Sequence, residues 1–387
     1  MTLTRLAALM CALLLLIPAA CAESAANEEE IAMYTVSPSW ENVKPLGRTH
    51  PLQDSLWLAF SGTGAEFTFH GARCEVTIAG DINATKPNDE ANKVRIAIYV
   101  DGERVVDDMI DAKEKTYTVV DAPQARDVVV TIVKLSETAM STCGVKAISV
   151  DSPEGIRPTE RKARRIEFVG DSITCGYGVD DEVAEHHFST ATEDVTRAYA
   201  YRTAAKLDAD YSMVSISGYG IISGYTATGE SKSASQLIPT FYEKLGFSYG
   251  TYNRKIVAGV KWDFSAFVPD LIVVNLGTND DSYTLNHADR REEYRAASVE
   301  FLKVIRRNNP DAKILCTLGV MGDRLYPMVE QAAADYTSQT GDDNIATMRF
   351  DVQKPSDGYA ADWHPTAATH EKASEKLVEE IRRLMGW

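Results

Sequence analysis

The sequence contains few cysteines, fewer basic than acidic residues, and no hydrophobic run long enough to cross a membrane. The 387 residues carry 40 Lys and Arg against 56 Asp and Glu, for a net charge of -16. A chain this acidic repels a phosphate backbone, so we expect no nucleic-acid partner. The apolar run at residues 6–17 is too short to span a bilayer. The remaining composition, 44% hydrophobic and 25% charged, is that of a globular protein large enough for two domains.

The first 22 residues have the pattern of a signal peptide. Arg5 precedes the apolar run, and Ala20-Cys21-Ala22 fits a cleavage site. We therefore expect cleavage near Ala22, an acidic leader at residues 23–33, and secretion without a membrane anchor. The alternative is a lipoprotein anchored at Cys21, although Pro18 stands where such signals usually carry Leu. An uncleaved anchor is a third alternative.

Four cysteines follow the predicted cleavage site: Cys74, Cys143, Cys175 and Cys316. Export permits disulfides, but four thiols in so long a chain do not form a disulfide framework. Cys74 with Cys143 is the one pair to consider, whereas Cys316 lies in an apolar run typical of a core. Cys175 fits the first turn of a helix. No Cys or His spacing is typical of zinc, so we expect no metal.

Residues 34–150 show the alternation of half-buried antiparallel strands. Val94, Ile96, Ile98 and Val100 alternate with other residues before the turn at Asp101-Gly102. About seven such runs, without a convincing helix, predict a β-sandwich of the jelly-roll kind. The proline-containing segment 151–160 is expected to be a linker.

Residues 161–387 alternate short apolar runs with helical patterns, which predicts a three-layer α/β/α domain. Five runs are expected to form a parallel sheet: 166–169, 212–216, 271–276, 313–318 and 348–352. Ser172, Gly218, Asn279 and His364 each follow one of these runs. Because the carboxyl ends of parallel strands meet at one edge, these four residues are expected to lie together.

The four residues suit acyl transfer. Ser172 needs a base to become a nucleophile, and His364 is the candidate base. Asp362 is a candidate to accept the other ring N–H of the imidazole. The backbone N–H groups of Ser172 and Gly218 and the side-chain amide of Asn279 are candidates for the oxyanion site.

The blocks GDSI, SGYG, GTND and DWHP, in this order, resemble those of the SGNH or GDSL-type hydrolase superfamily. With a β-sandwich in front, the layout is similar to that of carbohydrate esterase family 2. The resemblance implies a secreted enzyme that removes acetyl groups from plant polysaccharides such as xylan and glucomannan, without a cofactor. Many superfamily members carry Asp three residues before the His. Here that position is Ala361 and the acid is Asp362, a two-residue spacing that is familiar in carbohydrate esterase family 2. Some members of that family lack the acid and use a backbone carbonyl.

Other residues near these blocks have two interpretations each. Trp363 is a candidate to stack on a sugar ring, and the alternative is packing. Asp280 either binds sugar hydroxyls or caps the next segment, while Asp171 is expected to be a turn carboxylate. Trp40 and Trp57, in the β domain, are candidates for a sugar-binding platform. The alternative for Trp57 is a place in the core.

The sequence therefore predicts a monomeric polysaccharide acetylesterase. Two rivals remain. One is another SGNH esterase, such as a lipase, thioesterase or arylesterase, which a long apolar lid would favour. The other is a carbohydrate-binding protein whose esterase site has lapsed.

Overall fold

The structure is a computed structural model that describes residues 32–387. The predicted signal peptide, Cys21 and nearly all of the acidic leader lie outside the described residues. From Met33 to Trp387 the chain forms one compact unit. Within the described part, no helix combines the length and apolar character that a membrane span requires.

The N-terminal part is an antiparallel sheet, as the alternating pattern predicts. Its central strands follow the order β3-β4-β9-β5-β8-β6-β7, while β1 pairs with β9, and β2 and β10 pair with β5. The ten strands are β1 (Tyr34–Val36), β2 (Lys44–Leu46), β3 (Thr49–Leu52), β4 (Ser55–Leu58), β5 (Gly64–Gly80), β6 (Val94–Val100), β7 (Glu103–Ile110), β8 (Glu114–Lys134), β9 (Cys143–Val150) and β10 (Arg157–Pro158).

Two long strands, β5 and β8, organise this sheet. Each joins runs that look separate in the sequence, and the two pair along most of their length with register shifts near Gly71 to Arg73 and Cys74 to Glu75. Such bulges bend a strand. Phe67 from the first half of β5 and Val76 from its second half belong to the same buried cluster, so the bent sheet encloses one core.

The segment predicted as a linker takes part in the sheet. Arg157 and Pro158 pair with Thr68 and Phe67 of β5. Ile156 is buried in the core of the β domain. The chain therefore leaves the β domain while still packed against it, and residues 157–158 act as an edge strand.

The second half of the described chain is the expected parallel sheet with helices. Its strands follow the order β12-β11-β13-β14-β15. They are β11 (Arg164–Gly170), β12 (Ala209–Ser215), β13 (Leu271–Asn275), β14 (Lys313–Val320) and β15 (Ile345–Val352). The helices are α1 (Ser172–Cys175), α2 (Tyr199–Lys206), α3 (Ile238–Phe241), α4 (Thr278–Thr284), α5 (Ala288–Asn308), α6 (Tyr326–Thr340) and α7 (Ala367–Met385).

The central strands of the parallel sheet are buried on both faces, which explains why β13 is apolar from Leu271 to Val274. Ile272 and Val274 point into the core shared with α5 and α6. Leu271 and Val273 point into the opposite core, which includes α2 and α7. Because the strands are parallel, their carboxyl ends meet at one edge of the sheet, and the loops at that edge carry the polar residues of the predicted site.

A polar contact joins the two domains through a fully buried arginine. Arg48 from the β domain donates through Nη2 to Glu167 Oε2 of β11 at 3.1 Å, and through Nη1 to the Lys244 carbonyl at 3.1 Å. Both side chains are almost completely buried. Burying one such charge alone is strongly unfavourable, so the pair ties the two domains in one arrangement.

The four described cysteines are free thiols. Cys74 lies opposite Val150 on the β5–β9 pairing, and Cys143 lies opposite Gly80, so the two residues occupy different ends of the ladder. The disulfide that the sequence left open for Cys74 and Cys143 therefore does not form. Cys316 is buried in the core and Cys175 is buried in the first turn after β11, as the sequence predicts.

Candidate active site

The turn that carries Ser172 is held by local backbone contacts. The Asp171 carboxylate accepts the backbone N–H of Ile173 at 3.1 Å and caps α1, whose first residue is Ser172. The helix lasts one turn and ends at Gly176, which has a left-handed φ of 80° that favours glycine. Asp171 is thus the turn carboxylate that the sequence predicts.

Ser172 and His364 meet across 192 residues of sequence. His364 Nε2 lies 2.9 Å from Ser172 Oγ. The other ring nitrogen, Nδ1, lies 3.1 Å from the backbone carbonyl of Ala361. A carbonyl accepts only, so Nδ1 carries the proton and Nε2 is free to accept from the serine hydroxyl. This is the geometry that a serine nucleophile and its base require.

The imidazole of His364 is kept neutral by its surroundings. Burial among protein atoms lowers its pKa to about 4, against smaller opposite effects of the Ala361 carbonyl and the Asp362 charge. The Tyr177 ring stacks on the imidazole, with ring centroids 3.9 Å apart and planes inclined by 18°. A neutral imidazole at neutral pH is the form that accepts a proton.

The hydrogen bond predicted from His364 to the Asp362 carboxylate is absent. Instead, Asp362 Oδ2 accepts the Tyr177 hydroxyl at 2.5 Å, and Oδ1 lies 2.9 Å from His187 Nδ1. Partial burial acts to raise the Asp362 pKa, but these two hydrogen bonds outweigh it and hold the pKa below the ordinary value. The backbone carbonyl of Ala361 takes the position at Nδ1 that we predicted for the carboxylate.

The reason for this correction is the backbone before His364. Asp362 and Trp363 have φ values of 51° and 58°, a left-handed conformation that is uncommon for residues other than glycine. The resulting turn directs the Asp362 side chain away from the imidazole and presents the Ala361 carbonyl to it. Loop contacts hold this turn, because the Ala361 and Asp362 N–H groups donate at 2.9 Å to the carbonyls of Asp181 and His186.

The three oxyanion candidates line the same cleft as Ser172 and His364. Gly218 has a φ of 79°, and its Cα faces open space, which leaves room for a bound group. The Asn279 amide nitrogen donates to the Tyr219 carbonyl at 2.9 Å and to Asp171 Oδ2 at 3.3 Å. The longer of these two hydrogen bonds is the weaker.

Asp280 does not face the cleft, and its prediction as a substrate-binding residue is wrong. Its side chain is fully buried, and its carboxylate accepts the backbone N–H groups of Ile221, Ile222 and Ser223 at 2.7 to 3.0 Å. Burial raises its pKa to about 6, although these three hydrogen bonds act to lower it. These hydrogen bonds hold the 221–223 loop in place. Asp280 does not share the cleft with Asn279, because consecutive side chains of a helical turn point in different directions.

The cleft has a volume of about 560 Å³ and is open to solvent on its rim. Trp363 is 51% exposed and Tyr225 is 61% exposed, so both rings are available to a ligand. Arg324 donates through Nε to Asp281 Oδ1 at 2.8 Å. The lining residues are Ser172, Tyr177, Ser217, Gly218, Tyr225, Thr278, Asn279, Asp281, Ser282, Met321, Arg324, Asp362, Trp363 and His364.

The tryptophan platform that was one of two interpretations for the β domain does not form. Trp57 is fully buried and packs against Tyr252, with ring centroids 5.8 Å apart. Trp40 is 38% exposed and donates to Thr49. The core interpretation of Trp57 is therefore correct.

Sequence reasoning missed Tyr177, Tyr225 and Arg324. Tyr177 stands five residues after Ser172, which is the signal that could have directed attention to it. Tyr225 and Arg324 lie outside the four blocks, and only the folded loops bring them to the cleft. Among the described residues, no three His, Cys, Asp or Glu side chains are grouped as ligands of a metal ion.

Two family models match the chain. A GDSL-like lipase/acylhydrolase family model matches residues 168–372. A carbohydrate esterase 2 N-terminal model matches residues 46–174. Together they cover residues 46–372, which include most of the β domain, the parallel sheet and the blocks that carry Ser172 and His364.

Curated relatives include the cellulase/esterase CelE of Acetivibrio thermocellus, 29% identical over 85% of this chain. The chain spans only 38% of the length of CelE. An acetylxylan esterase/glucomannan deacetylase of Cellvibrio japonicus is 25% identical over 94% of this chain and 96% of its own length.

A solved structure of a family two carbohydrate esterase from Clostridium thermocellum, in complex with cellohexaose, has a TM-score of 0.75 and 28% sequence identity. The match covers 89% of this chain and 99% of that chain. The two-domain architecture is therefore that of carbohydrate esterase family 2 proteins.

Proposed function

Because this chain belongs to the GDSL-like lipase/acylhydrolase family, we propose that it is a serine esterase that removes acetyl groups from plant polysaccharides such as xylan and glucomannan. The observation that carries the proposal is the 2.9 Å contact between His364 Nε2 and Ser172 Oγ in an open cleft. The names of its relatives, which include acetylxylan esterase and glucomannan deacetylase, support the choice of substrate.

The first half of the proposed reaction transfers the acetyl group to Ser172. Its Oγ attacks the acetyl carbonyl carbon while His364 Nε2 takes the hydroxyl proton. The carbonyl oxygen becomes an oxyanion that the N–H groups of Ser172 and Gly218 and the amide of Asn279 stabilise. The bond to the sugar oxygen then breaks, and the His364 proton moves to that oxygen. The products of this half are a free sugar hydroxyl and an acetyl-enzyme.

The second half releases acetate. His364 Nε2 takes a proton from a water molecule as the water oxygen attacks the acetyl carbon, and the same donors hold the second oxyanion. The Ser172 oxygen leaves and regains the proton from His364. Throughout, the Ala361 carbonyl accepts the Nδ1–H, which keeps the imidazole in the productive tautomer and stabilises it when it is protonated.

The exposed ring of Trp363 is proposed to stack on the sugar. It lines the same cleft as Ser172 and His364, and His364 is the residue that delivers the proton to the leaving sugar oxygen. Aromatic faces offer apolar area with little loss of conformational freedom, which suits a flat pyranose face. Tyr225, on the Gly218 side of the cleft, offers a second exposed ring.

We also propose that the protein is secreted after cleavage near Ala22 and that it acts as a monomer. A polysaccharide is too large to enter a cell, so an enzyme that acts on it is useful outside. Arg5, the short apolar run and Ala20-Cys21-Ala22 support export, and the lipoprotein with Cys21 anchored remains the alternative. Mass spectrometry of the exported protein separates the two, because lipidation at Cys21 adds acyl chains.

The test is acetate release from acetylated xylan and acetylated glucomannan by the full chain, with Ser172→Ala as the paired variant. We expect release by the wild-type protein and a loss of about 10³-fold or more in the variant. Cleavage of a long-chain ester in preference to both polymers would favour a lipase. Binding to unacetylated glucan without cleavage of any ester would favour a lapsed site.

A further inference from the structure

The β domain reaches the loop that carries Gly218 through one buried carboxylate. Glu137 lies in the loop between β8 and β9, three residues after β8 ends, and its side chain is fully buried. Its Oε2 accepts the backbone N–H of Ser217 at 3.2 Å. Ser217 directly precedes Gly218. A residue of the β domain therefore holds the loop at residues 217–220 of the parallel-sheet domain, which is called the oxyanion loop below.

The loop is pinned at three successive residues. Glu137 accepts the Ser217 N–H, the Gly218 carbonyl accepts the Tyr225 N–H at 2.8 Å, and the Tyr219 carbonyl accepts the Asn279 amide at 2.9 Å. The second and third contacts come from the parallel-sheet domain. Only the first comes from the β domain, and it fixes the peptide immediately before the one that bears the Gly218 N–H.

The position of Glu137 is itself fixed. Glu193 Oε2 accepts the Glu137 N–H at 2.9 Å. Lys134 Nζ donates to the carbonyls of Ser136 and Glu137, both at 2.7 Å. These bonds hold the backbone on both sides of Glu137, so its carboxylate has little freedom to move away from Ser217.

Keeping these groups buried is costly. Burial raises the pKa of the Glu137 and Glu193 carboxyls and lowers the pKa of Lys134. An apolar residue at position 137 would avoid that cost but would leave the Ser217 N–H without its acceptor. These buried groups lower the stability of the folded state and lie beside the proposed reaction site. That combination is typical of functional residues.

We propose that Glu137 is a positioning residue that orients the Gly218 N–H toward the oxyanion, so that the β domain takes part in catalysis as well as in packing. The inference rests on the proposed function in one respect, the role of Gly218. The acceptor oxygen of Glu137 matters through its position. Its charge is secondary, because a neutral amide oxygen in the same place also accepts the Ser217 N–H.

Two substitutions separate position from charge. Glu137→Gln keeps the side-chain length and an acceptor oxygen but removes the charge. Glu137→Asp keeps the charge but withdraws the oxygens by one methylene. We expect Glu137→Gln to keep kcat within about three-fold. We expect Glu137→Asp to lower kcat about ten-fold or more with KM within about two-fold, since small displacements of a transition-state donor are costly.

The substrate for this test is 4-nitrophenyl acetate, whose cleavage requires Ser172 but no sugar contact. Tyr211→Phe is the matched control, because Tyr211 Oη donates to the Gly62 carbonyl of the β domain at 2.9 Å, away from the oxyanion loop. The kcat of Tyr211→Phe is expected to stay within about two-fold of the wild-type value. If Glu137→Asp does not fold, Glu137→Met, which has no acceptor oxygen, takes its place.

Hydrogen exchange at residues 217–220 reports the anchor without turnover. We expect faster exchange there in Glu137→Asp and unchanged exchange in Glu137→Gln. Unchanged exchange and kcat in every Glu137 variant would overturn the inference, as would an active Asp variant beside an inactive Gln variant, or an equal loss in Tyr211→Phe. A wild-type protein without esterase activity would refute the proposed function, while the exchange result would still decide whether Glu137 anchors the loop.

Discussion

The turn that carries Ser172 and the loop that carries His364 meet at one hydrogen bond but are stabilised in opposite ways. In the nucleophile turn, residues 170–176, the Asp171 cap and Gly176 are local, and all four residues of the short helix are buried. In the base loop, residues 361–364, two successive non-glycine residues adopt a left-handed backbone, and the contacts that hold them come from residues near position 181.

The two halves of the site are therefore held in place by different kinds of contact. A left-handed conformation costs about 1 kcal/mol or more for each non-glycine residue. The base loop must offset that cost through contacts made only in the folded protein: Tyr177 Oη and His187 with Asp362, and two backbone bonds. The nucleophile turn carries no comparable strain. We therefore expect changes around the base loop to alter its geometry, whereas changes at the nucleophile turn act on the chemistry directly.

The largest effect is expected from removal of the base itself. His364→Ala leaves Ser172 without a proton acceptor, so kcat for an acetate ester should fall by about 10³-fold or more. The melting temperature serves as the control for folding. His370→Ala is a matched comparison, because His370 is also buried but contacts the backbone N–H of Tyr199 rather than Ser172. A small loss in His364→Ala would refute the assignment of the base.

The next effect is the pH dependence of the wild-type enzyme. Burial lowers the pKa of His364 to about 4, so the neutral base persists at acidities where an ordinary histidine is already charged. We expect kcat/KM to stay level from pH 7 to about 5 and to fall as the pH drops through about 4. Circular dichroism at each pH shows whether the protein remains folded. A fall centred near pH 6.5 would mean that the imidazole is solvated like an ordinary histidine.

Removal of the Tyr177 ring, which covers the His364 imidazole, should shift the acid limb of the pH profile, the range in which kcat/KM falls as the pH drops. Tyr177→Ala exposes the imidazole and removes a hydrogen bond to Asp362, so the pKa of His364 should rise toward 6.5. We expect the acid limb of kcat/KM to move upward and kcat at pH 8 to fall about ten-fold through a looser base loop. Tyr177→Phe retains the ring and should leave the acid limb in place. An unchanged profile in the alanine variant would show that the stacked ring has no part in the low pKa.

The smallest effect is expected at Asp362. Asn tolerates the left-handed backbone, so Asp362→Asn preserves the loop while removing the charge. Because the carboxylate does not contact His364, kcat should fall less than ten-fold, against about 10⁴-fold for the loss of a triad aspartate. Asp181→Asn is the matched control, since Asp181 pairs with the neighbouring His186. A loss near 10³-fold in Asp362→Asn alone would restore Asp362 as the partner of His364.

The strands show how far local patterns predict the fold. The five strands of the parallel sheet were predicted to within a few residues, because each contains an apolar run and the central ones are buried on both faces. In the β domain, the pattern identified strand residues but not their connection. Bulges near Gly71 interrupt the alternation of β5 without ending the strand, so one bent strand looks like two in the sequence.

The site residues divide in the same way. The blocks identified Ser172, Gly218, Asn279 and His364, which the fold brings to one cleft. The sequence pattern did not predict the direction in which each side chain points. Asp280 follows Asn279 yet points into the protein, since successive residues of a helix face different sides.

Local patterns were enough to predict the order of the strands along the chain, the antiparallel and parallel halves, and the four blocks at the strand ends, because burial periodicity and turn chemistry are local properties. The acceptor that faces the imidazole and the anchor of the loop that carries Gly218 follow only from the folded structure. The Ala361 carbonyl reaches His364 only because distant contacts hold Asp362 in a left-handed conformation, and Glu137 reaches Ser217 only because the two domains pack together. Contacts between residues far apart in the chain leave no periodic trace in it.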